Sequence, residues 1–198
     1  MQWVVSHDDI DSSDGAIQYL GSKPQAVDSA ITSDQKEVRC SPDLLFACRD
    51  THALVEVFGT PALMIARNQS LFVDSVVRRE KRSAGIIRPI PTASGFYLVR
   101  ISPPTQVMDK EYEQQAAMFS KQELGETIGA LHVGALAAVG LRKKYGIDIT
   151  NGRHLRTSDV VSSGRHHSMY FLESRLAFGV ARDIAMSSVA ALGVIPLH

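Results

Sequence analysis

Two carboxylates, Asp43 and Glu56, lie in the segment CSPDLLFACRDTHALVEVFG, which spans residues 40–59. We interpret this segment as a β-hairpin in which Asp43 opens the first strand and Glu56 lies inside the second. Two carboxylates held side by side on adjacent strands repel each other and favour a bound cation. The pattern therefore predicts a divalent-metal site formed by Asp43 and Glu56.

The first half of this segment also has a second interpretation. Ser41 is a good helix N-cap, Pro42 suits the first helical position, and Asp43 then falls in the first turn. We favour the hairpin because the valine-rich run at residues 54–57 needs a strand partner.

Pro42-Asp43 followed by Glu56-Val57-Phe58, with a helix and further strands after it, resembles the core of the PD-(D/E)XK nuclease superfamily. The resemblance covers residues 38–101, about a third of the chain. It implies that Asp43 and Glu56 bind Mg²⁺, which activates water to cleave a phosphodiester.

In that superfamily a lysine stands two residues after the glutamate, where this chain has Phe58. Some members place the cation on the following helix instead. By that resemblance the further candidates for the catalytic site are Arg67, Gln69 and Lys81.

A second set of candidates is basic. Arginine forks, imidazoles and glycine N–H groups together are typical of phosphate sites, although the same composition also occurs in solvated basic loops. The candidate phosphate-binding residues are Arg78, Arg79, Arg82, Arg153, His154, Arg156, Arg165, His166 and His167. The tripeptide Gly-Arg-His occurs twice, at residues 152–154 and 164–166.

Composition limits the class of protein. The 198 residues suffice for one domain with a substantial core, and the chain is 44% hydrophobic with zero net charge. The longest largely apolar stretch, residues 127–141, is short of the roughly 20 residues that a membrane helix needs. We therefore expect a cytoplasmic protein with no membrane partner. We also expect its two cysteines, Cys40 and Cys48, to be reduced.

The order of patterns predicts an α+β fold in three segments. Residues 1–37 are acidic and loop-rich, residues 38–104 form an α/β core with a small mixed sheet and flanking helices, and residues 105–198 are helical. Within the core we expect a helix over 61–79 and strands over 86–90 and 95–101. Beyond it we expect helices across 110–144, a polar connection over 145–165, and a last helix over 167–192.

Small residues recur within 110–144 and would let another backbone approach closely. They are Gly125, Gly129, Gly134, Ala138 and Gly140. Such a face favours tight helix packing, either within the subunit or across a homo-oligomer interface.

Two functional hypotheses follow from the sequence. The first is a metal-dependent nucleic-acid-processing or nucleic-acid-binding protein with a PD-(D/E)XK-like core, catalytically active or not. The alternative is a non-enzymatic, oligomeric assembly protein of viral or phage type that associates through residues 110–144.

Overall fold

Two mixed β-sheets pack against one central helix, so the chain has the α+β fold that its sequence predicts. The computed structural model describes residues 1–6, 9, 29–31, 37–58, 65, 68–76, 94–161, 163–181 and 184–197.

The first sheet has five strands, and it takes them from all three sequence segments. The strands are β1 (Val4–Val5), β4 (His52–Val57), β5 (Gly95–Arg100), β6 (Thr127–Ile128) and β11 (Gly193–Leu197). Their order in the sheet is β1-β4-β5-β11-β6, with β1 parallel to β4 and the other neighbours antiparallel. The predicted strand over 95–101 is therefore present.

The second sheet has four strands in the order β10-β7-β8-β9. Strand β10 runs parallel to β7, while β7, β8 and β9 form an antiparallel meander. The strands are β7 (His154–Val160), β8 (His166–Leu172), β9 (Arg175–Val180) and β10 (Val189–Ala191). Only Leu192 separates β10 from β11, so one extended segment joins the two sheets. A separate hairpin pairs β2 (Ser29–Ile31) with β3 (Glu37–Arg39).

Three α-helices lie wholly within the described residues: α1 (Pro42–Cys48), α2 (Tyr112–Ser120) and α3 (Leu131–Tyr145). Every residue of α3 from Leu131 to Leu141 is buried, because apolar and small side chains occupy all of its faces. Its last turn carries Arg142, Lys143 and Lys144, which complement the negative end of the helix dipole.

The small residues near and within α3 contact side chains of the same subunit. A Cβ added at Gly134 would overlap Leu192 and Met169, and one at Gly140 would overlap Val5. This close packing within one chain accounts for the glycines without a partner subunit. The homo-oligomer predicted through residues 110–144 gains no support from them.

The prediction of a hairpin over residues 40–59 is wrong. For the first half of this segment the alternative interpretation, a helix that begins at Pro42, is correct. Residues Pro42–Cys48 form helix α1, with Ser41 at the N-cap and Asp43 in the first turn. Strand β4 finds its partners elsewhere, in β5 and β1. Helix α1 packs its apolar side, including Leu44 and Cys48, on the opposite face of the first sheet from α3. Both cysteines are buried and free.

The helix predicted over 61–79 does not run continuously through its described part. Residues Gln69–Leu71 form a 3₁₀ turn, and Phe72 is extended and bridges in parallel to Leu176 of β9. Phe72 is fully buried and lies edge-on to Phe178, so packing on the second sheet overrides the helical pattern here. The start of this helix and the strand predicted over 86–90 lie outside the described residues.

Among the described residues of the C-terminal half, α-helix is confined to α2 and α3. Strand β7 lies inside the predicted polar connection, and β8 to β11 replace the predicted last helix. In β8, successive side chains point to opposite faces, so Met169, which contacts α3 at Gly134, lies on one face and Ser168 and Tyr170 lie on the other. Within the described residues, no helix has the length and apolar character needed to cross a membrane.

A buried ion pair fixes the end of β5 against the segment before β6. Arg100 Nε donates to Glu126 Oε1 at 2.7 Å and Arg100 Nη2 to Oε2 at 2.5 Å, while His52 Nε2 lies 3.5 Å from Oε1. Burial alone would raise the pKa of Glu126, but the bonds from Arg100 and His52 lower it below its ordinary value. Gly193 leaves the space that this carboxylate fills.

We expect Gly140→Ala to destabilise the protein by about 1–2 kcal/mol, because the new methyl group overlaps the stiff, β-branched Val5. Gly134→Ala is the matched variant: its methyl group meets the flexible ends of Leu192 and Met169, and we expect a smaller loss. Urea denaturation at pH 7 measures both free energies of unfolding. Equal effects of the two substitutions would contradict this packing argument.

We expect Glu126→Gln to lower the free energy of unfolding at pH 7. We also expect the free energy of unfolding of this variant to fall less steeply than that of wild type as the pH is lowered. The folded pKa of Glu126 lies below its ordinary value of 4.5, so its stabilisation is complete above that pH and is lost as the pH falls through the folded pKa. Denaturation at a series of pH values between 3 and 7 measures this. The exposed Glu123→Gln is the control, and parallel pH curves for wild type and Glu126→Gln would refute the assignment.

Candidate functional site

The repeated Gly-Arg-His tripeptides open the two central strands of the second sheet. Gly152 and Gly164 have φ angles of 71° and 80°, which a residue with a side chain rarely adopts, so each turn requires glycine. In both copies the histidine is the first residue of its strand, β7 or β8. The two tripeptides are thus structurally equivalent.

Each of these histidines stacks on a tyrosine. The ring centroids of His154 and Tyr170 are 4.0 Å apart with an angle of 27° between the planes. Those of His166 and Tyr112 are 3.5 Å apart with an angle of 10°. All four side chains are half-buried, so each stack is partly exposed to solvent. We call Arg153, His154 and Tyr170 the first half-site, and Arg165, His166 and Tyr112 the second.

Strand register places both histidine–tyrosine stacks on one face of the sheet. Leu155 pairs with Met169, so the preceding residue His154 lies opposite Tyr170. His166, Ser168 and Tyr170 alternate along β8 and therefore point to the same side. This side faces away from α3, and α2 brings Tyr112 onto it at the His166 end.

Each half-site also has an arginine at the entry to its strand. Arg165 is exposed and Arg153 half-buried. Within the described part of the chain, neither guanidinium is paired with a carboxylate; Arg165 Nε donates to Ser163 Oγ at 3.1 Å. Two guanidinium groups are therefore available to an anionic ligand.

The two imidazoles have different surroundings. Burial lowers the pKa of His154, so this ring is neutral at pH 7 and serves as a stacking surface. His166 Nδ1 lies 3.1 Å from the Thr157 carbonyl oxygen, which can only accept, so Nδ1 donates. In the neutral ring Nε2 of His166 then carries the lone pair.

Arg156, another predicted phosphate ligand, belongs to the interior. It is fully buried, and its Nη1 donates to Gln115 Oε1 at 2.7 Å while Nη2 donates to the Ile184 carbonyl oxygen at 3.3 Å. These bonds hold α2 and the segment before β10 against β7. The prediction that Arg156 contacts a phosphate is therefore corrected to a structural role.

His167 lies on the opposite face of the sheet from the two half-sites. It alternates with His166 and faces α3, where Asp159 accepts a hydrogen bond from the N–H of Leu131 at the start of that helix. Burial lowers the pKa of both His167 and His132, and the Asp159 carboxylate partly offsets this. His167 is thus separated from the other predicted phosphate-binding residues.

Asp43 and Glu56 do not lie on adjacent strands. Asp43 is exposed in the first turn of α1, whereas Glu56 is buried within β4. Among the described residues, no group of three or more histidine, cysteine, aspartate or glutamate side chains is arranged to hold a metal ion. The magnesium site remains a prediction.

Of the other predicted catalytic residues, Gln69 opens the exposed 3₁₀ turn before Phe72. Arg67, Lys81 and the basic group of Arg78, Arg79 and Arg82 lie outside the described residues.

Sequence reasoning missed both tyrosines of the half-sites. Tyr112 follows Glu111, which forms a capping box with Gln114 at the start of α2, and Tyr170 lies inside a segment predicted to be helical. The aromatic pair Tyr170 and Phe171, a residue type that favours strands, is a signal that could have indicated β8.

We expect Arg156→Ala to destabilise the protein by roughly 3 kcal/mol, because it leaves the buried Gln115 Oε1 without its donor, removes two further bonds to carbonyl oxygens and opens a cavity in the interior. The exposed Arg165→Ala is the matched control, with an expected change within about 0.5 kcal/mol. Chemical denaturation monitored by circular dichroism measures both. If the Arg156→Ala variant proved as stable as the wild type, the structural role of Arg156 would be excluded.

Comparison of the chain with protein-family models, with curated proteins and with solved structures finds no match. The resemblance to PD-(D/E)XK nucleases therefore remains a prediction from residues 38–101. The chemistry of the two half-sites is the remaining basis for a functional proposal.

Proposed function

We propose that this protein binds single-stranded nucleic acid across its two half-sites. The observation that carries the proposal is the repetition itself: each Gly-Arg-His copy places an imidazole stacked on a tyrosine on the same face of the sheet, with an arginine directly before that histidine in the chain. A nucleic acid strand repeats the complementary pair of groups, one phosphate and one planar base per unit.

The ring chemistry supports this choice of ligand. Proteins that bind single strands place bases on aromatic side chains, and each such stack contributes about 1–3 kcal/mol. The half-buried state of the four rings leaves surface for such contacts. Neutral His154 adds ring surface, while Arg153 and Arg165 supply positive charge.

The charge distribution supports the location. Residues 1–60 carry a net charge of −6 and residues 61–198 a net charge of +6, so the half-sites belong to the basic part of the chain. This proposal concerns binding, and it requires neither the magnesium site nor a cleavage step. It keeps the nucleic-acid partner predicted from the sequence and moves its location to the second sheet.

We expect labelled oligonucleotides to bind the full chain at low salt, and Tyr170→Ala to weaken that binding by about fivefold to a hundredfold, the equivalent of one lost stack. Tyr170→Phe retains the ring and should bind like wild type. Arg165→Ala should reduce the dependence of log affinity on log salt concentration by about one unit, because one phosphate contact is lost. Fluorescence anisotropy over a series of salt concentrations measures all three.

Arg49→Ala is the matched basic control. Arg49 is exposed, pairs with Asp50 and stacks on Phe46 beside the first sheet, far in the fold from both half-sites. We expect it to leave affinity and salt dependence unchanged. Absence of binding by wild type, or equal effects of Arg49→Ala and Arg165→Ala, would contradict the proposed function.

A further inference from the structure

The spacing of the two half-sites restricts which single strands they can hold. Tyr170 and His166 are four residues apart on β8, which at about 3.3 Å per residue separates the two stacks by roughly 13 Å. Bases that remain stacked on one another follow at about 3.4 Å along a strand. Two neighbouring, mutually stacked bases therefore cannot occupy both half-sites.

Strands β7, β8 and β9 place no third aromatic ring between the two stacks on this face. Ser168 lies midway along β8 and is fully buried, and its cross-strand partner Arg156 is fully buried under α2. Gly179 of β9, beside Ser168, has no side chain. A nucleotide that lies between the two half-sites thus finds no ring of these three strands to stack on.

We infer that the half-sites hold two non-adjacent bases of an unstacked strand, with at least one nucleotide looped between them. This rests on the proposed function and adds the class of ligand: flexible, pyrimidine-rich single strands. Purine-rich strands must first lose the stacking between their own bases, and duplexes cannot present separated bases at all. Stacking strength and backbone flexibility are the usual source of such preferences.

The test uses the full chain and oligonucleotides of equal length, with affinity read by fluorescence anisotropy. We expect oligo(dT) to bind about tenfold more tightly than oligo(dA), and a duplex to bind more weakly than oligo(dT). A second series contains only two thymines, at increasing separation, with abasic nucleotides elsewhere. Affinity should be low for adjacent thymines and should rise when one or more abasic nucleotides separate them.

The variants Tyr112→Ala and Tyr170→Ala should each remove this dependence on separation, because only one stack remains, while Tyr112→Phe and Tyr170→Phe should retain it. Denaturation midpoints show whether each variant is folded. Equal affinities for adjacent and separated thymines, or oligo(dA) bound as tightly as oligo(dT), would overturn the inference while leaving the proposed function intact. If no oligonucleotide binds wild type at low salt, the proposed function itself fails.

Discussion

The complete burial of α3 is the constraint on which the rest of the structure depends. A helix with no exposed side from Leu131 to Leu141 needs a layer on each side, and the two sheets supply them. It also needs partners for its first N–H groups, which water cannot reach easily. Asp159 of β7 provides one by accepting from Leu131. The helix and the second sheet are therefore joined by a polar contact as well as by apolar packing.

This arrangement gives the second sheet one face that packs on α3 and one face that is partly covered by α2. The face toward α3 carries Met169 and Asp159, whose positions are set by the helix. The opposite face receives α2, which the buried Arg156 attaches through Gln115. Both half-sites lie around this attachment. Their geometry thus depends on the buried side chains of Arg156 and Gln115, as a proposed binding surface depends on the residues that support it.

Part of this structure can be predicted from the sequence, and particular residues show why some predictions are right and others are wrong. The helices within 110–144 follow from apolar residues that recur at steps of three to five, and strand β5 follows from a run of aromatic and aliphatic residues. Helix α1 is hard to tell from a strand because seven residues carry too few turns to show a helical period, and Pro42 is the better indicator. Strands β8 and β9 are hard to predict because their residues do not alternate regularly between polar and apolar, so no period of two marks them. The arginines and histidines of the site could be named from the Gly-Arg-His repeat. Their tyrosine partners could not, because strand register and the position of α2 bring them together.

The antiparallel pairing of β7 and β8 bears on the direction in which a nucleic acid, bound as proposed, could lie across the sheet. Because the two Gly-Arg-His copies begin neighbouring strands that run in opposite directions, an approximate two-fold axis normal to the sheet relates them. A ligand that enters from either end meets guanidinium and imidazole in the same order. The symmetry is broken by the tyrosines, since Tyr170 belongs to the sheet itself and Tyr112 comes from α2, and by the register shift of β7 against β8 between Arg156 and Val160. A nucleic acid bound as proposed would therefore meet different surroundings at its two ends, and α2 would contribute to the difference.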